Sequence, residues 1–208
     1  MKKIYKDLIK RVLDLVFSLV LILITLPIQF FLVILMSINL KEFGLFRQLR
    51  IGHRGKEFYV YKVKTMISNS THNINDKGVA SLSDNRITKV GSILRRLHVD
   101  ELPQLFSVFI GKMSFIGPRP EVTSIMEILS FEDFESWTSV KPGLISPATL
   151  SFINEEELLE DENDPLEVYL TEILPIKVKM NKEYSDDISF SKDLKIFFNY
   201  LWKIIKND

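Results

Sequence analysis

Apolar positions follow three regimes along this chain. From Val12 to Leu40 they run almost without interruption, broken by Asp14, Ser18, Pro27, Gln29 and Ser37. As a straight helix, the stretch from Leu15 to Ile38 would measure roughly 36 Å, against a bilayer core of about 30 Å. Two short alternating runs follow, Phe46–Ile51 and Glu57–Thr65, around the turn His53-Arg54-Gly55-Lys56, and these predict a β-hairpin. Beyond the hairpin, apolar residues recur at helical spacing in short blocks: Ile87–Leu97, a helix opening near Asp100, Val122–Phe134 and Asp193–Ile205. The polar stretch Ile67 to Asp84 predicts a loop, and the acidic segment Glu155–Asp164 a solvated helix face or loop. The expected fold is mainly α with one small β-hairpin.

The long apolar segment carries its own topological signals. A basic leader (Lys2, Lys3, Lys6, Lys10, Arg11) precedes it, but it is too long for a signal-peptide core and no small-x-small site follows, so it is expected to be retained. Pro27 sits at its middle, where a missing N–H kinks a helix. Gln29 adds an amide that is costly in lipid unless it helps satisfy the freed backbone. Lys41, Arg47, Arg50, Arg54 and Lys56 follow, so positive charge flanks both ends. A kinked single-pass anchor satisfies the proline. A re-entrant hairpin bent at Pro27, with arms of about 17 Å, also satisfies the preference of both flanks for one side, and is the favoured expectation. The C-terminal block reads as an amphipathic helix that either packs on the core or lies at the lipid interface, where Tyr200, Trp202 and lysines are favoured.

Composition narrows the classes. The 208 residues suit one domain plus a membrane element. A formal net charge of zero hides an asymmetry: residues 1–64 hold twelve Lys/Arg against four Asp/Glu, and residues 151–187 hold twelve acids against three lysines. The basic third suits an anionic leaflet. No helix-turn-helix or ribonucleoprotein pattern accompanies it, so nucleic acid is not an expected partner. Without cysteine there are no disulfides or thiolate metal sites, and His53, His72 and His98 form no i, i+4 pair for zinc.

The chemistry concentrates between Asp100 and Pro120. If Asp100 is an N-cap, Pro103 falls harmlessly in the first turn, the helix dipole stabilises the carboxylate, and nearby amides can receive a phosphate. A plain cap accounts for the same two acids. Their context includes Arg95 and Arg96 just upstream, and Arg119 held between prolines in GPRP, a stiff turn that can aim a guanidinium at phosphate oxygens. Lys62 and Lys64 add cations. Acids and cations with little His and no Cys point to phosphoryl chemistry with Mg²⁺, although no Walker loop or kinase signature is present.

Together, KRVLDLV (10–16), the proline-broken segment, FRQLRIGHRGKEFYVYKVKTM (46–66), DNRITKVGSILRRLHVDELPQLFSVFIGKMSFIGPRP (84–120) and KPG (141–143) resemble the bacterial sugar transferases, the monotopic polyprenyl-phosphate phosphoglycosyl transferases. The resemblance implies transfer of a sugar 1-phosphate from a UDP-sugar to polyprenyl (undecaprenyl) phosphate with release of UMP, the opening step of glycoconjugate synthesis. It implies Asp100 as the nucleophile of a phosphosugar-aspartyl intermediate, Glu101 as the Mg²⁺ ligand, and Lys62, Arg95 and Arg119 as phosphate-binding residues. It further implies a catalytic domain on the cytoplasmic face of the bacterial inner membrane, with downstream glycosyltransferases or a second copy as possible partners. The expected division is a leader and re-entrant helix at 1–40, a catalytic domain at 41–187 and an amphipathic helix at 188–208. Three departures stand out. Leu26 precedes Pro27 where serine is common, leaving Thr25 to serve the broken backbone. Lys64 replaces an arginine, and LISPATLSFINEEELL follows KPG in place of an aromatic-Gln stretch. The competing expectations are a membrane-associated Mg²⁺-dependent phosphohydrolase and a non-enzymatic scaffold.

Overall fold

The computed structural model of the chain describes residues 4–68, 86–152, 158–159 and 164–206, so most of the expected polar loop and acidic segment lies outside the described residues. The dominant element is helix α1, Lys10–Leu40, entered through a π-type turn at Tyr5–Ile9. It continues through Pro27 without a break in the helix. Thr25 donates its hydroxyl to the Leu21 carbonyl at 2.7 Å, and the Gln29 amide donates to Thr25 at 2.9 Å. Thr25 therefore reinforces the preceding turn and satisfies Gln29. It does not reach the Leu23 carbonyl, which is the one that loses its donor at Pro27.

One stripe of α1 is covered: Asp14, Ser18, Ile22, Gln29, Leu32, Met36 and Leu40. The other faces are apolar and bare, with Leu23 65% and Ile38 73% exposed. A helix apolar all round but packed along only one stripe is compatible with lipid on the remainder. The first and last parts of this region rest on the same body. Tyr5 packs with Ile116, Tyr184 and Ile196, whereas Leu32, Met36 and Leu40 pack on Val63 and Leu94.

The hairpin forms as the alternation predicts. β1 (Leu45–Ile51) pairs antiparallel with β2 (Glu57–Val63) in the register Leu45↔Val63 to Ile51↔Glu57. Helix α2 (Lys89–Arg96) begins at Thr88, whose side chain receives the Gly91 N–H at 3.0 Å. A 3₁₀ turn, Val99–Gln104, then leads into α3, Leu105–Phe109. Asp100 lies inside this turn, not at its cap. The chain enters it through His98, which is held at φ 53, so the helical hydrogen-bonding starts before the carboxylate pair.

A second sheet was not legible in the pattern. β3 (Ser114–Ile116) and β4 (Gly143–Ile145) pair in parallel, each too short for alternation to register. Gly117 and Gly143 meet back to back, and a Cβ on Gly143 would lie 2.1 Å from the Gly117 nitrogen. The expected helix over Val122–Phe134 divides into α4 (Thr123–Met126) and α5 (Phe131–Thr138), because Ser130 caps a new helix by accepting from Asp133 N–H. α6 (Pro165–Val168), α7 (Leu174–Asp186) and α8 (Phe190–Lys206) complete the chain. α8 packs through Asp193 and Ile196 and leaves Phe190, Leu194, Phe197, Phe198, Leu201 and Trp202 outward, so it both joins the core and presents an apolar stripe.

Candidate active site

The register of the hairpin decides which cations point inward. Phe58, Val60 and Lys62 alternate on one face of β2, and the residues directly opposite on β1 are Arg50, Gln48 and Phe46. Phe58 and Val60 are core residues, so their shared face carries Lys62 and Arg50 into the body of the protein. Two loops wait there, the Val99–Gln104 turn with the acids and the Gly117–Pro120 turn with Arg119.

Lys62 donates to Glu101 Oε1 at 2.7 Å, and Arg119 Nη2 donates to the same oxygen at 2.5 Å. Arg119 Nη1 lies 3.4 Å from Glu101 Oε2, completing a fork against the carboxylate. Burial alone would raise the Glu101 pKa, but the Arg119 and Lys62 charges hold it well below the usual carboxylate range. The Arg119 main chain is fixed as well, since its carbonyl accepts from Trp137 Nε1 at 3.0 Å. Gly117 N–H donates to the Ile145 carbonyl at 3.0 Å and Gly143 N–H to the Pro118 carbonyl at 2.8 Å, so the GPRP and KPG strings form one structural unit.

Asp100 neighbours this trio and is 7% exposed. Arg95 lies in the last turn of α2, and its carbonyl receives the His98 N–H at 2.9 Å. The fold thus brings Lys62, Glu101 and Arg119 into contact, with Asp100 in the same turn and Arg95 directly upstream. Lys64 goes elsewhere. It pairs with Glu42, whose pKa is drawn down to about 2 chiefly by that hydrogen bond, and it donates to Ser68 at 2.6 Å. The expectation that Lys64 adds a cation to the site is corrected: it ties the end of the hairpin to the segment after α1.

Sequence reasoning missed a second carboxylate behind the GPRP turn. Glu121, 8% exposed, accepts from Arg50 at 3.3 Å and from the Tyr169 hydroxyl at 3.0 Å, with Lys177 Nζ 3.7 Å away. Arg50 also donates to the Pro120 carbonyl at 3.2 Å, bracing the turn that carries Arg119. The parity of Arg50 with Lys62 across the hairpin was the available signal. Lys177 offered none, standing in a segment dominated by acids. Tyr200 of α8 was also missed as a site neighbour. Burial, and then the Glu101 charge, push its pKa up to about 12.

Among the described residues no group of three or more His, Cys, Asp or Glu side chains forms a metal cage. Magnesium needs less, because one or two carboxylates beside substrate phosphates suffice, and Asp100 and Glu101 beside a cluster of cations match that donor set.

The sequence pattern of the bacterial sugar transferases matches residues 5–207. The chain belongs to that family. It is similar to the uncharacterised sugar transferase EpsL of Bacillus subtilis, at 30% identity over 97% of this chain and 89% of that protein. It is 32% identical to the UDP-glucose:undecaprenyl-phosphate glucose-1-phosphate transferase of Escherichia coli, over 94% of this chain and 40% of that enzyme. Over 54% of its length it is 40% identical to a putative undecaprenyl-phosphate N-acetylgalactosaminyl 1-phosphate transferase of Bacillus subtilis. The chain spans 62% of this last relative.

Proposed function

We propose that this chain transfers a sugar 1-phosphate from a UDP-sugar to undecaprenyl phosphate, releasing UMP, at the cytoplasmic face of the bacterial inner membrane. The observation that carries the reading is the Glu101 carboxylate gripped by Lys62 and Arg119, three residues from three separate segments, beside the buried Asp100. Relatives named for transfer of a sugar phosphate to undecaprenyl phosphate supply the reaction class.

In the proposed cycle a carboxylate oxygen of Asp100 attacks the sugar-bearing phosphorus. The bond from that phosphorus to the bridging oxygen breaks, and UMP leaves with the electron pair. An oxygen of the lipid phosphate then attacks the same phosphorus, the Asp100–phosphorus bond breaks, and the carboxylate is restored. An arriving diphosphate gives Lys62, Arg119 and Arg95 a more highly charged partner than Glu101, and the Glu101 carboxylate is the group that would hold Mg²⁺. A bound Mg²⁺ supplies charge neutralisation at the diphosphate.

A monotopic placement is supported by the packing of α1. Tyr5, Leu32, Met36 and Leu40 all rest on one body, whereas a straight span would separate the helix ends by a bilayer core of about 30 Å. The deciding experiment incubates the protein with a panel of UDP-sugars, Mg²⁺ and undecaprenyl phosphate while UMP is monitored. Wild type should release UMP and form a covalent phosphosugar adduct, and Asp100→Asn should do neither. Turnover by that variant removes Asp100 from the nucleophile role.

A further inference from the structure

The last helix reaches the catalytic turn through one aromatic contact. The rings of His98 and Tyr200 lie 6.4 Å apart at an interplanar angle of 53°. His98 is a non-glycine residue in the left-handed region, and its carbonyl accepts the Glu101 N–H at 3.4 Å, so the contact lands on the turn that holds the acids. Tyr200 packs half-buried against the cluster of Ile116, Ile145 and Tyr184. Two tethers fix α8 beneath it: Asp193 receives hydrogen bonds from Tyr5 and Tyr184, and Lys203 donates to the Leu150 carbonyl. Glu101, Arg119 and Asp100 all act electrostatically on the Tyr200 phenol, which places it beside the catalytic acids. A half-buried phenol whose hydroxyl is open to solvent, on a fixed helix beside the catalytic acids, is placed to donate to an arriving phosphate.

Its surroundings indicate which phosphate. Phe197 and Ile204, which share the side of α8 that carries Tyr200, are 37% and 42% exposed, and Leu97, next to His98, is 64% exposed. The His98–Tyr200 contact therefore lies on the border between a bare apolar rim and the polar site. A phosphate carried on a lipid tail must cross that border, whereas a nucleotide arrives from water. We propose that Tyr200, backed by the His98 ring, binds the phosphate of the membrane-borne acceptor, its neutral O–H donating to a phosphate oxygen beside Asp100. The identity of that acceptor rests on the transfer reaction proposed above. A neutral donor suits the task, because it orients the attacking oxygen without cancelling its charge as another cation would. An ordinary phenol titrates at about 10, so the donor is neutral at working pH.

The donor diphosphate carries similar oxygens, so the test separates the two sources. The full chain in phosphatidylcholine nanodiscs is compared with Tyr200→Phe, which deletes only the hydroxyl, for equilibrium binding of undecaprenyl phosphate, of the alcohol undecaprenol, and of UDP. The preference of wild type for the phosphorylated lipid over the alcohol should fall about tenfold in the variant, with UDP affinity unchanged. Trp202→Leu should weaken both lipids alike and leave the preference intact. An unchanged preference in Tyr200→Phe, or an equal loss of UDP binding, overturns the assignment. Binding requires no turnover, so a wild-type protein that released no UMP would count against the transfer reaction alone.

Discussion

Asp193 joins the two ends of the chain, and its removal has a calculable cost. Its carboxylate is 6% exposed and accepts from the Tyr5 hydroxyl at 2.6 Å, the Tyr184 hydroxyl at 2.7 Å and the Lys10 ammonium. Asp193→Ala leaves two phenols and a cation without their acceptor in a place water reaches poorly. Breaking a buried ion pair costs about 3–5 kcal/mol, and the 14% exposure of Lys10 favours the lower part of that range. At about 2–4 °C per kcal/mol for a chain of this size, the unfolding midpoint should fall by about 6–16 °C. Asp193→Asn keeps one acceptor oxygen and should lose roughly half as much. Tyr5→Phe should cost about 1–2 kcal/mol alone and nearly nothing on the Asp193→Ala background, because its partner is already gone. Thermal unfolding in nanodiscs, followed by circular dichroism, measures the four variants beside wild type. A midpoint for Asp193→Ala within about 2 °C of wild type, or fully additive losses in the double variant, would refute the clamp.

Glu101→Gln should destabilise the protein in a pH-dependent way. The folded-state pKa of Glu101 lies well below its usual 4.5, so its contribution is complete above that pH and disappears as pH falls through the folded value. The gap in midpoint between wild type and variant should therefore be full at pH 7 and narrow progressively as pH falls below about 4.5, and a gap that widens on acidification would contradict the sign. Lys64→Met should leave kcat/KM within about twofold of wild type, since the Lys64 ammonium is engaged by Glu42 and Ser68 and leaves the grip on Glu101 to Lys62 and Arg119. Gly117→Ala would place a Cβ 2.5 Å from the Lys141 carbonyl; it should cost about 1–3 kcal/mol and lower kcat/KM by displacing Arg119, and unaltered turnover would break the link between GPRP and KPG. Cysteines placed at Lys6 and Lys41, ahead of and just after α1, should both react from the cytoplasmic side only. Labelling of one from each side would mean a span.

What the chain discloses locally and what it conceals follow the range of the interactions. Alternation over Phe46–Thr65 fixes the hairpin because a half-buried strand repeats its environment every second residue, and the prolines around Arg119 stiffen their own neighbourhood. The three-residue strands β3 and β4 fall below any period, and their pairing depends on two glycines, Gly117 and Gly143, brought together from opposite sides of α4 and α5. Charge is the least legible property of all. Lys62 and Lys64 share a parity, yet Lys62, inside β2, grips the mostly buried Glu101, and Lys64, one residue past the strand end, turns to the partly exposed Glu42. Glu121, Arg50 and Lys177 resemble ordinary surface charges until α7 closes over the GPRP turn. Even Pro27, the loudest local signal, acts through context, since Thr25 and Gln29 consolidate the helix around it and α1 stays packed along one stripe from Asp14 to Leu40. The acids and the arginine are therefore readable as a pair of motifs, but the site exists only because the inward face of the hairpin delivers a lysine between them.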